Sequence, residues 1–103
     1  MAFAGLWETW RDPSVPRDLR QKIRTCTIIT TSSGPDTEGI HDRMPVVVER
    51  DDFDEWLDPG PLDKVELASL LRPAPAGTLH GLEVSTRVNS VRNEGPELLE
   101  GVR

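Results

Sequence analysis

Tyrosine is absent from the 103 residues, phenylalanine occurs twice and cysteine once. The lone Cys26 excludes an internal disulfide and fits a reducing compartment. No stretch approaches the roughly 20 apolar residues that a membrane-spanning helix needs. The opening run, Met1 to Trp7, has neither the basic lead nor the long apolar centre of a signal peptide. Cytoplasm is therefore the expected location, with no membrane partner. Hydrophobic residues make up only 36%, so three Trp supply most of the aromatic bulk, and nine Pro with eight Gly impose many turns. Such a chain forms at most one modest domain with little margin of stability.

Positive charge is also in deficit. The formal net charge of −6 argues against a generic polyanion binder. Its distribution is uneven. Arg11, Arg17, Arg20, Lys22 and Arg24 face only Asp12 and Asp18 in residues 11–24, whereas residues 49–58 hold six carboxylates against Arg50. Either the domain is basic on one side and acidic on another, or both runs are ordinary solvated surface.

The first apolar run, Phe3 to Trp7, reads as a strand, and residues 8–22, with Pro13 and Pro16, as a surface loop. Ile23 to Thr31 is rich in β-branched residues and free of Pro and Gly, which predicts a strand. A loop over Ser32 to Gly39 follows. Pro45 to Glu49 reads as a second strand, with Pro45 at its first position, where a missing N–H is tolerated. Asp51 can cap a short helix that puts Phe53, Trp56 and Leu57 on one face. Asp63 and Glu66 form a capping-box pair for a second helix, whose buried stripe is Leu67, Leu70 and Leu71. Leu82 to Val88 reads as a last strand, followed by a polar tail with one amphipathic turn at Glu97 to Leu99. Helices do not alternate with strands, so the class is α+β with antiparallel or mixed pairing: three or four strands half covered by two short helices.

Among groups capable of chemistry, His41 leads, because imidazole exchanges protons near neutral pH. A loop His beside Asp42 and Arg43 can equally be a structural hydrogen-bonding residue, and in an extended segment the Asp42 side chain points elsewhere. Cys26 invites a nucleophile reading, but inside a β-branched strand a free Cys behaves as a small buried hydrophobe. Cys26, His41 and His80 lack the paired spacing of a zinc site, so no metal is expected. Thr30, Thr31, Ser32 and Ser33 can hold a phosphate or carbonyl oxygen, or simply form the turn. Arg43, Arg87 and Arg92 have guanidinium groups suited to phosphate. Trp7, Trp10 and Trp56 can stack on bases, but in a chain this poor in aromatics core duty is the better reading, at least for Trp56.

Three pieces in order carry a further likeness. They are Phe3-Ala-Gly-Leu-Trp-Glu8, Thr25-Cys-Thr-Ile-Ile-Thr-Thr31 with Ile40-His-Asp-Arg-Met-Pro-Val46, and Val84-Ser-Thr-Arg-Val-Asn-Ser90 with Asn93-Glu-Gly-Pro-Glu-Leu98. Together they resemble the C-terminal half of the SOS-response-associated peptidase (SRAP) family, over nearly the whole chain. The resemblance implies that residues 1–103 are one partial SRAP domain, with no second domain. The implied fold is a barrel-like mixed or antiparallel β core with a groove for single-stranded DNA. The implied role lies in the DNA-damage (SOS) response: binding single-stranded DNA, crosslinking to abasic sites, and self-processing as a peptidase, without a cofactor.

In that family the thiol and amine of a cysteine after the initiator Met close a thiazolidine on the sugar aldehyde. His41 matches the family's active-site His, which implies proton transfer during ring opening or release. Thr30 falls on a pocket-lining Thr, and Thr31 and Arg43 lie beside it as DNA contacts. The departures are Ala2 where the family has Cys, a Cys26 that does not match the nucleophile, and a Glu8 that belongs to a different motif. The family's front-half Glu and Asn have no counterpart here. The expectation is a chain catalytically incomplete alone, nucleoid-associated when on DNA, with a separate chain supplying the front half or with self-association. A non-catalytic single-stranded-DNA-binding remnant and a purely structural fragment are the alternatives.

Overall fold

A computed structural model describes residues 1–102. Its three extended segments each change partner midway. The first comprises β1 (Ala2–Phe3) and β2 (Gly5–Trp10), the second β3 (Ile23–Ile28) and β4 (Thr30–Ser32), the third β5 (Arg43–Pro45) and β6 (Val47–Val48). Antiparallel ladders join β1 to β6, β2 to β3 and β4 to β5. One residue separates the two halves of each segment: Ala4, Ile29 and Val46. These three form a ring of backbone hydrogen bonds. The Ala4 N–H donates to the Val46 carbonyl (2.8 Å), the Val46 N–H to the Ile29 carbonyl (2.9 Å), and the Ile29 N–H to the Ala4 carbonyl (2.9 Å). Every backbone group freed by the change of partner is thereby satisfied.

The ring is also the core. Ala4 and Val46 are 0% exposed, and with Val48 they pack against Ile29, Phe53, Trp56 and Leu71. Burying one Val side chain contributes about 1.5–3 kcal/mol. Trp56 therefore serves the core, as its spacing predicts.

The α+β class and antiparallel pairing match the sequence-based expectation. The half-covered sheet of three or four strands does not: three two-stranded ladders meet at one point instead. Each segment pairs with both of the others, so pairing closes on itself. Closure needs local breaks that hydrophobic patterning does not mark, which is why the Ile23–Thr31 and Pro45–Glu49 strands come out divided.

A 3-10 turn, Arg50–Asp52, leads into α1 (Phe53–Leu57), whose N-cap is Asp52 rather than Asp51 and makes no side-chain cap bond. The second helix, α2 (Lys64–Leu70), carries the expected capping box. Asp63 accepts from the Glu66 N–H at 2.8 Å, and Glu66 accepts from the Asp63 N–H at 3.2 Å. Of its apolar stripe, Leu70 is buried, Leu71 half-buried and Leu67 38% exposed.

The strand expected at Leu82–Val88 is replaced by an isolated antiparallel bridge, Val84 to Gly101, and a 3-10 turn, Thr86–Asn89. The Ser85 hydroxyl accepts from the Arg87 N–H (3.3 Å), a local bond that competes with strand formation. The amphipathic turn falls inside a further 3-10 turn, Pro96–Leu99. Within residues 8–22, β2 continues to Trp10, and Arg17–Leu19 form a 3-10 turn.

Candidate nucleic-acid interface

The β4–β5 ladder pairs Thr30 with Pro45, Thr31 with Met44 and Ser32 with Arg43. Residues directly opposite share a face, and alternate residues switch faces. Thr30, Ser32 and Arg43 therefore stand on one face, and Thr31 with the buried Met44 on the other. Thr31 donates from its hydroxyl to the Leu71 carbonyl at 3.4 Å. The expected pair of DNA-contacting threonines is thus separated: Thr30 is exposed and Thr31 turns toward the packed side.

Residues 33–42 close this hairpin as an ordered loop. The Ser33 N–H donates to the Asp42 carbonyl (2.9 Å), the Glu38 N–H to the Gly34 carbonyl (3.0 Å) and the His41 N–H to the Thr37 carbonyl (3.0 Å). The Ser33 and Thr37 hydroxyls lie 2.7 Å apart. Gly34 is buried against residues 73 and 74, where a Cβ would stand 2.6 Å from the Ala74 carbonyl oxygen. These contacts are the turn-forming alternative for Ser33, whose hydroxyl is already occupied.

Asp36 is a positioning residue that sequence reasoning missed. Its carboxylate accepts from the Gly77 N–H (3.0 Å) and the Leu79 N–H (2.9 Å), tying the loop to residues 77–79. The N–H of Leu79, then that of Gly77, holds the Asp36 carboxyl below its ordinary range. An Asp after Gly-Pro reads as generic turn chemistry, so only its distant partners reveal the role.

Arg43 connects the exposed groups. Its Nε donates to the Thr30 hydroxyl (3.2 Å), and its Nη2 donates to the Thr30 carbonyl (2.9 Å) and hydroxyl (3.0 Å). Its backbone N–H donates to His41 Nδ1 at 3.0 Å. Because Nδ1 is the acceptor, the proton of the neutral ring sits on Nε2. Asp42 Oδ1 also lies 3.0 Å from Nδ1, against the expectation that Asp42 points elsewhere. A single ring nitrogen cannot accept from Arg43 and donate to Asp42 at once, so the Arg43 N–H and the Asp42 carboxylate compete for Nδ1. His41, Arg43 and Thr30 thus form one connected, solvent-facing set, chemically able to exchange a proton and to hold an anion.

Cys26 lies mid-strand opposite Trp7 and is exposed, not buried as its β-branched context predicts. No layer covers either face of β2–β3 at that point. On the same face the Arg24 guanidinium sits 5.4 Å from the Trp7 ring centroid, so Trp7 has a cation above it. Among the described residues, no helix is long and apolar enough to cross a membrane, and no three His, Cys, Asp or Glu side chains are grouped to hold a metal ion.

Comparison with known proteins gives this arrangement a family. The family model described as SOS response associated peptidase (SRAP) matches residues 1–91. The abasic site processing protein YoqW of Bacillus subtilis (strain 168) is 44% identical over 99 residues, which are 96% of this chain and 42% of that protein. The abasic site processing protein HMCES of Gallus gallus is 38% identical over 100 residues, covering 96% of this chain and 28% of its own length. A crystal structure of a protein from Bacteroides thetaiotaomicron matches with a TM-score of 0.78 and 26% identity, over 98% of this chain and 43% of that one. The chain belongs to the SRAP family. It spans less than half the length of these relatives.

Proposed function

We propose that this chain forms one wall of an abasic-site-processing domain, gripping single-stranded DNA with Thr30 and Arg43 and presenting His41 to the ring-opened sugar. The observation that carries the reading is the Thr30–Arg43–His41 connection on an exposed hairpin of an SRAP protein: Thr30 holds the Arg43 guanidinium, and the Arg43 backbone N–H holds the His41 imidazole. Arg43 spends Nε and Nη2 on Thr30, and Nη1 is the edge available to a phosphate. His41, with Nδ1 held by the Arg43 N–H, directs Nε2–H outward as a hydrogen-bond donor toward the sugar oxygen.

Cys26 does not supply the covalent step. A thiazolidine needs a thiol and a free amine on one residue, and the nitrogen of Cys26 is a peptide N–H within the β2–β3 ladder. The 103 residues by themselves therefore bind abasic DNA without closing the stable crosslink. They act either as part of a larger assembly or as a single-stranded-DNA-binding module.

Fluorescence anisotropy with a short abasic oligonucleotide, followed by a denaturing gel, tests both statements. Binding that weakens with salt, falls on Arg43→Ala and leaves no heat-stable adduct is the expected result. Absence of binding at low salt refutes the grip, and a heat-stable adduct refutes the incompleteness.

A further inference from the structure

Two neighbours in the chain reach the same ring nitrogen with opposite polarity. The Arg43 N–H donates to His41 Nδ1 at 3.0 Å, and Asp42 Oδ1 also lies 3.0 Å away. The hairpin explains why that N–H is available. The Ser33 N–H donates to the Asp42 carbonyl, so Ser33 and Asp42 form a hydrogen-bonded pair across the hairpin. In an antiparallel ladder such pairs alternate with pairs whose backbone groups point away from the partner strand. Ser32 and Arg43 are the next pair along, so the Arg43 N–H faces outward, where the imidazole meets it. The donor is thus fixed by the strand, and the His41 N–H is itself tied to the Thr37 carbonyl. The acceptor is adjustable, because the Asp42 side chain is 90% exposed and free to turn toward the ring or away from it.

Whichever group holds Nδ1 decides what Nε2 can do. Under the Arg43 N–H, Nδ1 keeps its lone pair and Nε2 carries the hydrogen. The outer nitrogen then donates a hydrogen bond but takes up no proton. With Nδ1–H donating to Asp42, the neutral ring has its lone pair on Nε2 and accepts a proton there. The doubly protonated ring suits Asp42 alone, because an Nδ1–H and the Arg43 N–H pointing at each other repel. The contact is exposed, so its effect is modest: a pair of this kind shifts an equilibrium about two- to fivefold.

We infer that Asp42 is a positioning residue that makes His41 Nε2 a proton acceptor for the opening of an abasic sugar. This rests on the reading that His41 faces the sugar. In the closed hemiacetal form, Nε2 takes the proton of the C1 hydroxyl. The electron pair left on that oxygen forms C1=O, and the bond from C1 to the ring oxygen breaks. The pair from that bond takes the proton back from Nε2, so nothing is consumed and the imidazole returns to its starting state. Asp42 acts through the ring, accepting from Nδ1–H while Nε2 holds the transferred proton.

Nitrogen-15 NMR of the imidazole tests the contact on the full chain without DNA, at about pH 8.5, where an ordinary imidazole is neutral. His80→Gln in the background leaves His41 as the only ring observed. Asp42→Ala should lower the Nδ1–H share about two- to fivefold. Glu38→Ala, which removes another exposed carboxylate from the same loop, should leave it unchanged. Backbone amide shifts of Ser33, Glu38 and His41 that match the parent show that the loop keeps its fold. A second arm mixes the chain with an abasic oligonucleotide and excess alkoxyamine, which traps only the open aldehyde and so reads ring opening. The parent should speed trapping, and Asp42→Ala should lose that acceleration by the same factor. An unchanged tautomer share in Asp42→Ala overturns the inference, and so does a reduced share with undiminished acceleration. No acceleration by the parent refutes the placing of His41 at the sugar, and the ring-opening step with it. The NMR arm, run without DNA, decides separately whether Asp42 holds Nδ1.

Discussion

Replacing Gly34 by Ala tests whether close packing fixes the loop that presents His41. A Cβ at this position would lie 2.6 Å from the Ala74 carbonyl oxygen and 3.4 Å from both Met44 Sδ and Pro73 Cβ. The nearest atom is backbone, so relief requires moving the loop or residues 73–74 rather than rotating a side chain. Overpacking of this kind costs about 1–3 kcal/mol. Lower entropy of the unfolded Ala chain returns about 0.4–1 kcal/mol. The net loss is about 1.3 kcal/mol, or about tenfold in the opening equilibrium. Amide hydrogen exchange at Ser33, Glu38 and His41, whose N–H groups close the loop, should accelerate by that factor. Gly39→Ala is the internal control. No atom lies within 4 Å of its Cβ position, so only the entropy gain acts, and the same amides should slow about two- to fivefold. If Gly34→Ala exchanges no faster than the parent protein, close approach to residue 74 does not hold the loop.

Other expectations concern the same hairpin and its supports. Thr30→Val should lower affinity for an abasic oligonucleotide by loosening Arg43, whereas Thr31→Val, on the packed face, should leave it unchanged; anisotropy compares the two. Asp36 has a depressed carboxyl, so its contribution to loop order is present above about pH 4 and disappears as pH falls through its lowered folded value. An NMR titration following Gly77 and Leu79 amides should show this loss in the parent and a flattened profile in Asp36→Asn. Asp63→Ala removes the capping box of α2 and should cost about 1 kcal/mol, read as faster exchange at the Glu66 and Leu67 amides.

What could be read from the residues was local. Asp63 and Glu66 announce α2 because a capping box is satisfied within four residues. The Ile23–Thr31 strand follows from β-branched residues uninterrupted by Pro or Gly. Leu82–Val88 misleads because its alternation suits a strand, while Ser85 closes a turn that alternation cannot register. The site was legible as a set of residues but not as an arrangement. Strand alternation carries the signal that Thr30 and Thr31 face opposite ways, but only the pairing with Arg43 and Met44 says which of them faces out. Asp36 was hidden because its partners lie 41 and 43 residues away. Cys26 was misjudged because a β-branched pattern states a requirement for cover, and no layer covers the β2–β3 ladder at that point.

The hydrogen-bonded ring of Ala4, Ile29 and Val46 has a consequence for how this protein can vary. Each ladder takes its register from the same three residues, so a one-residue slip in any strand would break a bond belonging to the other two. An insertion near the ring must therefore disturb all three ladders together. Insertions at the far ends, in residues 11–22 or 33–42, change an arm without reaching the centre. The meeting point is then fixed in number and order even where an arm changes length.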